Sequence, residues 1–140
     1  MSAIAIAWDT IKGGTKEFVG ERGPWHASDM LASEDEVFDF LYGLVRILKP
    51  LDCFESGSYH GGATVAIARA LRENGVEGFL VSCETDPVAF EIVSQATKDL
   101  PVDIRSQPGE IVAATASWDF AFLDGGGCDE RFKQAKALNR

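Results

Sequence analysis

The stretch FESGSYHGGATVAIARAL, residues 54–71, places one acid and three glycines directly before a run of small apolar residues. Gly57 and Gly61 remove side chains where the chain would turn sharply from a strand into a helix. Such a turn lets backbone N–H groups and the N-terminus of a helix approach a bound molecule closely. The stretch therefore predicts a strand, a glycine turn and a helix beside a ligand site.

The sequence upstream of this stretch predicts another helix. The residues SEDE form a capping box, in which Ser33 caps the helix and Glu36 reaches back to it. Apolar residues then recur at steps of three and four, which predicts one stripe facing a core: Val37, Phe40, Leu41, Leu44, Val45 and Leu48. Pro50 ends this helix.

Downstream, strand patterns alternate with helix patterns. Strands are predicted at residues 51–55, 78–84, 102–106 and 118–124, and helices at residues 63–72, at about 86–98 and from 129 onward. Parallel strands need crossover connections, and helices of this length supply them. The sequence therefore predicts an α/β fold, a Rossmann-like three-layer sandwich with a mainly parallel sheet. A ligand would bind beyond the carboxyl ends of its strands.

Length and composition indicate one globular domain. The chain has 140 residues, of which 46% are hydrophobic, and this is enough for a single core. Residues 1–30 are irregular and punctuated by glycine, so we expect a lead-in segment or a flap there. Residues 31–140 carry the regular pattern and are expected to form the ligand-binding domain.

Charge and cysteine content exclude several classes of protein. A net charge of −9 argues against nucleic acid as a partner. The opening AIAIAW is too short to span a bilayer, so no membrane association is expected. Three cysteines without CxxC spacing, two of them within apolar runs, fit a reducing cytoplasm.

A second candidate binding residue stands at the end of the second predicted strand. A carboxylate at Glu84 is well placed to accept hydrogen bonds from both hydroxyls of a ribose. The glycines alone would also fit an ordinary strand-to-helix turn, and Glu84 alone would fit a solvated acid at a strand end. Their occurrence together favours a nucleoside-containing ligand.

Three motifs in order carry a resemblance to a known family. ESGSYHGGATVAIARAL resembles the first motif of class I S-adenosylmethionine-dependent methyltransferases, in the form found in catechol O-methyltransferase-like O-methyltransferases. VSCETDP is similar to the second family motif, and WDFAFLDGG to the motif of the fourth strand. The resemblance implies strand order 3-2-1-4, S-adenosylmethionine as cofactor, S-adenosylhomocysteine as product and O-methyl transfer to a small-molecule acceptor.

The resemblance also implies site residues. The methionine end of the cofactor would lie against the glycine turn, the ribose against Glu84, and the adenine near Thr85 and the start of a later segment. The implied cofactor-binding residues are Glu55, Gly57, Ser58, Tyr59, Gly61, Glu84, Thr85, Gly109, Glu110 and Asp124. Trp25 and His26 in the lead-in are expected to contribute to the acceptor pocket.

Metal binding is a weaker implication of the resemblance. In the catechol-type enzymes the aspartate that ends the fourth strand is a metal ligand, and Asp124 matches it. The sequence departs from that pattern because DGGG places glycines where those enzymes have a lysine base. A crevice-wall or structural role is therefore expected for Asp124 more than a divalent metal.

The family fold continues with further strands after the fourth, so we expect this chain to be a truncated form of the domain. A fourth strand left at the sheet edge would favour a homo-oligomer. A non-catalytic module that binds S-adenosylmethionine or another adenosine ligand, or an inactive truncated methyltransferase, would share every motif. A dinucleotide-dependent oxidoreductase fits less well, because Glu55 would repel a pyrophosphate.

Overall fold

The computed structural model describes residue 33, residues 35–75 and residues 77–138. Its helices are α1 (Asp35–Leu48), α2 (Gly62–Asn74), α3 (Pro87–Thr97), α4 (Gly109–Ala113) and α5 (Cys128–Leu138). Its strands are β1 (Asp52–Ser56), β2 (Phe79–Cys83), β3 (Val102–Arg105) and β4 (Phe120–Leu123). The expected lead-in at residues 1–30 lies outside the described residues. No helix within the described residues is long and apolar enough to cross a membrane.

The strands form one parallel sheet with the order β3-β2-β1-β4. This order confirms the α/β prediction and the strand order that the resemblance implied. In register, Glu55 on β1 lies beside Ser82 on β2 and Phe122 on β4. Because the strands are parallel, their carboxyl ends lie at one edge of the sheet, where β1 stands between β2 and β4.

One face of the sheet is covered by α1, α2 and α3. Helix α2 is rich in alanine, and these small side chains let it pack closely on β1 and β2. Ile67, Leu71 and Leu80 are fully buried in this layer. Burying a side chain of this size stabilises the fold by about 1.5–3 kcal/mol.

The opposite face is covered by α4 and α5. Phe54 of β1 and Val112 of α4 are fully buried there. The ring of Trp118 packs on Phe54 with a centroid distance of 5.3 Å, and its Nε1 donates to the Ala113 carbonyl at 2.9 Å. The two covered faces confirm the three-layer sandwich.

The start of β4 is attached to the start of β1 by a side chain. The carboxylate of Asp119 accepts from the N–H of Leu51 at 3.0 Å and from the N–H of Asp52 at 3.2 Å. These two bonds hold the pKa of Asp119 below its ordinary value, because they favour the charged form. The contact fixes the register in which the two strands pair.

Helix boundaries mostly follow the predicted signals. Asp86 caps α3, as its carboxylate accepts from Val88 N–H at 2.9 Å and from Ala89 N–H at 2.8 Å. Gly75 ends α2 with a φ of 67°. The helical stripe predicted for α1 was partly wrong, because Phe40 and Leu48 are exposed and Phe38 is buried instead. The five-residue α4 was not predicted at all.

Candidate functional site

A cavity of about 700 Å³ lies beyond the carboxyl ends of the strands. Its walls come from the loop between β1 and α2, the residues after β2, the loop between β3 and α4, and the loop between β4 and α5. This is the position at which open parallel sheets bind ligands. The cavity is large enough for a small organic molecule with several polar groups.

The structure brings together nearly all of the residues proposed from sequence. The predicted residues that line the cavity are Gly57, Ser58, Tyr59, Gly61, Glu84, Thr85, Gly109, Glu110 and Asp124. Glu55 is the exception, since it does not belong to the cavity lining. Trp25 and His26 lie outside the described residues. The binding roles of all these residues stay predictions.

Gly57 has two structural reasons to be glycine. Its φ of 89° lies in the left-handed region that side chains disfavour. A Cβ at this position would also lie 2.5 Å from the Cα of Gly125, which belongs to the loop after β4. The two loops therefore touch through bare backbone. The predicted reasons for this glycine were the sharp turn and close approach of a ligand, and the contact between loops adds a further structural reason.

The backbone donors of the glycine turn are partly used within the protein. The N–H groups of Gly57 and Ser58 both donate to the Cys83 carbonyl, at 3.0 and 3.1 Å, and Gly61 N–H donates to the Ser58 carbonyl at 2.8 Å. These three donors are therefore engaged without a ligand, which differs from the expectation that they would meet one. The N-terminus of α2 still borders the cavity, because Gly62 lies in its lining.

Glu84 connects two loops at the cavity wall. One carboxylate oxygen accepts from the Tyr59 N–H at 2.7 Å, and the other accepts from the Asp86 N–H at 2.8 Å. Tyr59 adopts a φ of 48°, which is unusual for a residue with a side chain. The hydrogen bond to Glu84 stabilises this strained backbone conformation. Strained backbone of this kind concentrates at functional sites.

Glu55 lies in a buried polar network beneath the glycine turn. Its carboxylate accepts from Thr64 Oγ1 at 2.6 Å and from Ser82 Oγ at 2.5 Å, and Ser82 Oγ lies 2.5 Å from Ser58 Oγ. Burial raises the pKa of Glu55 to about 7, although the two hydroxyl donors lower it and the charges of Asp124 and Glu84 raise it further. The network joins β1 and β2 to the turn.

Asp124 has protein partners on both carboxylate oxygens. Ser33 Oγ donates to Oδ2 at 2.6 Å, and Arg131 Nη2 forms an ion pair with Oδ1 at 3.1 Å. Across the described part of the chain, no group of three histidine, cysteine, aspartate or glutamate residues is placed to hold a metal ion. Asp124 lies in the cavity wall, and metal binding by it stays a prediction.

Several residues of the cavity lining were not predicted. Ser33 lies there because α1 begins beside the end of β4, a contact that no local pattern reveals. Gly125 was quoted within a motif but was not assigned to the site. Gln134 of α5 also lines the cavity while being only 3% exposed. An uncharged glutamine within a helix rich in charged residues is the only sign of it in the local sequence.

Comparison with known proteins places the chain by its fold. No protein-family model and no curated protein sequence matches it. A methyltransferase from Podospora anserina, solved with S-adenosylhomocysteine, matches 99% of this chain with a TM-score of 0.69 and 20% identity. An O-methyltransferase from Bacillus cereus, solved with S-adenosylhomocysteine, matches 98% with a TM-score of 0.64 and 18% identity.

A further match is the O-methyltransferase TomG from Streptomyces achromogenes, which is involved in tomaymycin synthesis and was solved with S-adenosylmethionine. It covers 100% of this chain with a TM-score of 0.62 and 20% identity. The chain spans 57%, 61% and 61% of the lengths of these three structures. These matches agree with the sheet order and with the glycine turn after β1 in indicating one fold. The chain therefore has the Rossmann-like fold of the class I S-adenosylmethionine-dependent methyltransferases.

Proposed function

We propose that the protein binds S-adenosylmethionine in this cavity and transfers its methyl group to an oxygen of a small-molecule acceptor. The structural neighbours were solved with this cofactor or its product, which supports the choice of ligand. The motifs that carry the sequence resemblance border the same cavity. Because the chain spans only part of the length of the matched structures, the methyl transfer proposed here is an activity of the whole protein.

The observation that carries the proposal is the position of Glu84 beside the glycine turn. A carboxylate has about four acceptor sites, and backbone N–H groups use one on each oxygen of Glu84. Two acceptor sites remain for the two ribose hydroxyls of the cofactor. The backbone bonds also hold the carboxylate in place before the ligand arrives, which reduces the ordering cost of binding.

The methionine end of the cofactor would lie near the N-terminus of α2. This end of a helix favours negative charge, so it suits the carboxylate of the methionine moiety. Gly61 and Gly62 expose the backbone there. The negative form of Glu55 beneath the turn would favour the ammonium and sulfonium charges, through water or across a short distance.

Methyl transfer requires little covalent chemistry from the protein. The sulfonium carries its own leaving group, so the protein aligns the acceptor oxygen with the methyl carbon and assists removal of a proton. We propose Trp25 and His26 for the acceptor side. Burial raises the pKa of Cys53 and of Cys83 to about 12, so both thiols stay protonated at neutral pH and are poor nucleophiles.

Calorimetry and a transfer assay test the proposal. S-adenosylmethionine and S-adenosylhomocysteine are expected to bind, whereas NAD is not, because a pyrophosphate would meet the acids of this site. Transfer of a labelled methyl group to a panel of hydroxylated aromatic acceptors tests the reaction. Binding of the cofactor without transfer to any acceptor would favour a non-catalytic module. Preferential binding of NAD would overturn the proposal.

A further inference from the structure

Gln134 is a buried polar side chain that the proposed function leaves unexplained. It lies on α5, is only 3% exposed and contributes to the cavity lining. Its Oε1 has no hydrogen-bond partner within the described part of the chain. Buried polar atoms of native proteins are almost always paired, so this oxygen is expected to receive a donor from a molecule in the cavity.

The neighbourhood of Gln134 shows why its side chain reaches this wall. A Cβ on Gly109, at the start of α4, would lie 3.0 Å from Nε2 of Gln134 and 2.3 Å from Oγ of Ser56. Glycine at position 109 therefore leaves the room that the carboxamide group occupies. Gln107 and Pro108, which immediately precede Gly109, also line the cavity. The carboxamide thus stands beside the loop that follows β3.

This wall and Glu84 border the same cavity. Glu84 follows β2, and the loop containing Gly109 follows β3 but reaches over the end of β1, since a Cβ on Gly109 would lie 2.3 Å from Ser56 Oγ. A nucleoside whose ribose contacts Glu84 can direct its base either toward the Gly109 loop or back toward the glycine turn. The turn is needed for the methionine end of the proposed cofactor, which leaves the Gly109 loop for the base.

The chemistry of a carboxamide matches one base in particular. Adenine presents an amino donor next to a ring-nitrogen acceptor on the same edge, and a glutamine side chain presents the complementary acceptor and donor. We infer that Gln134 recognises the adenine edge of the cofactor, with Oε1 accepting from the exocyclic amino group and Nε2 donating to a ring nitrogen. This inference rests on the proposed function and makes Gln134 a specificity-determining residue.

The test compares two ligands in wild type and in variants. One ligand is S-adenosylhomocysteine, and the other is its analogue with hydrogen in place of the adenine amino group. Wild type is expected to bind S-adenosylhomocysteine about tenfold more tightly, as expected for one buried hydrogen bond. In Gln134→Met, which keeps side-chain length and helix propensity, the ratio of the two affinities is expected to fall below about twofold.

Two further variants control the comparison. Gln95→Met makes the same change at an exposed position on α3 outside the cavity lining and is expected to keep the wild-type ratio. Gln134→Glu keeps an oxygen acceptor and is expected to retain a preference for the amino-bearing ligand even if Gln134→Met does not fold. A wild-type ratio in Gln134→Met, or loss of preference in Gln134→Glu, would overturn the inference.

Failure of the inference is distinguishable from failure of the proposed function. If wild type binds S-adenosylhomocysteine but does not distinguish it from the analogue, adenine recognition by Gln134 is wrong while the proposed cofactor stands. If the preference for S-adenosylhomocysteine over the analogue is lost in Gln107→Met and kept in Gln134→Met, the base contacts Gln107 and the inference for Gln134 is wrong. If wild type binds neither ligand, both proposals fall together.

Discussion

The N–H of Tyr59 donates to Oε2 of Glu84 at 2.7 Å, so the carboxylate proposed for the ribose also fixes the turn proposed for the methionine end. Tyr59 has the left-handed φ of 48° in this arrangement. One acid thus stabilises an unfavourable backbone conformation and presents its remaining acceptor sites to the cavity. The two halves of the candidate site are coupled before any ligand binds.

Glu84→Ala is expected to weaken binding of S-adenosylhomocysteine by about 1.5–3 kcal/mol, the range for hydrogen bonds to a charged group. Two backbone N–H groups lose their acceptor: that of Asp86 is exposed to water, whereas that of Tyr59 is part-buried. The fold should therefore persist, while the glycine turn at Tyr59 loses one stabilising bond. Calorimetry measures the affinity, and circular dichroism checks the fold. Glu91→Ala, at an exposed position on α3, is the matched control and should bind as wild type does. An unchanged affinity in folded Glu84→Ala would contradict the ribose assignment.

Gly57→Ala is expected to lower the free energy of unfolding by more than Gly75→Ala does. Both glycines have positive φ, but a Cβ at Gly75 meets nothing within 4 Å, whereas one at Gly57 meets Gly125 at 2.5 Å. The backbone strain alone costs about 1–2 kcal/mol. The steric overlap should add about 1–3 kcal/mol for Gly57→Ala. Denaturant titration of both variants measures the difference, and equal losses would show that the loops separate at little cost.

Glu55 is expected to make stability depend on pH. Its pKa of about 7 in the folded protein lies above the ordinary value of 4.5, so the folded state holds the proton more tightly than the unfolded chain. The contribution of Glu55 to the free energy of unfolding is therefore fully present below about pH 4.5 and is lost as the pH rises through about 7. The total loss is about 3 kcal/mol.

Glu55→Gln removes this titration and tests it directly. Subtracting the unfolding curve of the variant from that of wild type, measured at several pH values, isolates the contribution of Glu55. Glu91→Gln at an exposed position is the control and should follow wild type. A difference that does not change between pH 4.5 and pH 8 would show that the carboxyl is not proton-linked to folding.

The predictions that the structure confirms came from patterns among residues close together in the sequence. Alternating strand and helix patterns predicted the parallel sheet, and Asp86 before Pro87 predicted the start of α3. The α1 stripe was correct at Leu41 and Val45 but wrong at Phe40. An apolar side chain at either position 38 or position 40 satisfies a helical period, and only packing against α2 decides between them. The position of Phe38 near Gly62 illustrates this, since a Cβ on that glycine would lie 2.6 Å from the ring.

Cavity-lining residues within the recognised motifs were predicted from the sequence. Lining residues that meet from segments distant in the sequence were missed. Ser33 contacts Asp124 across the fold, and Gln134 meets Gly109 from another helix. Neither pair has a spacing that a sequence pattern can reveal. Glu55 was assigned to the ligand from its motif, whereas in the structure its carboxylate accepts from Thr64 and Ser82 beneath the turn.

The 140-residue chain is expected to self-associate through the edge of the sheet. Strand β4 pairs with β1 on one side, and none of the described strands pairs with its other side. Phe120 and Phe122 are only partly buried there. Unpaired backbone groups beside apolar side chains favour edge-to-edge pairing. Sedimentation velocity at several concentrations should show the average mass rising toward that of a dimer, and a constant monomer mass would refute this.

The placement of β1 between β2 and β4 also bears on the order of folding. Helix α2 alone separates β1 from β2, whereas β4 reaches β1 only after β2, α3, β3 and α4 have intervened along the chain. Contacts between distant segments form slowly, because the loop between them must first close. A chain emerging from the ribosome can therefore pair β1 with β2 before β4 emerges. During that interval β1, an inner strand of the finished sheet, is an edge strand whose free side can pair with another segment or another chain.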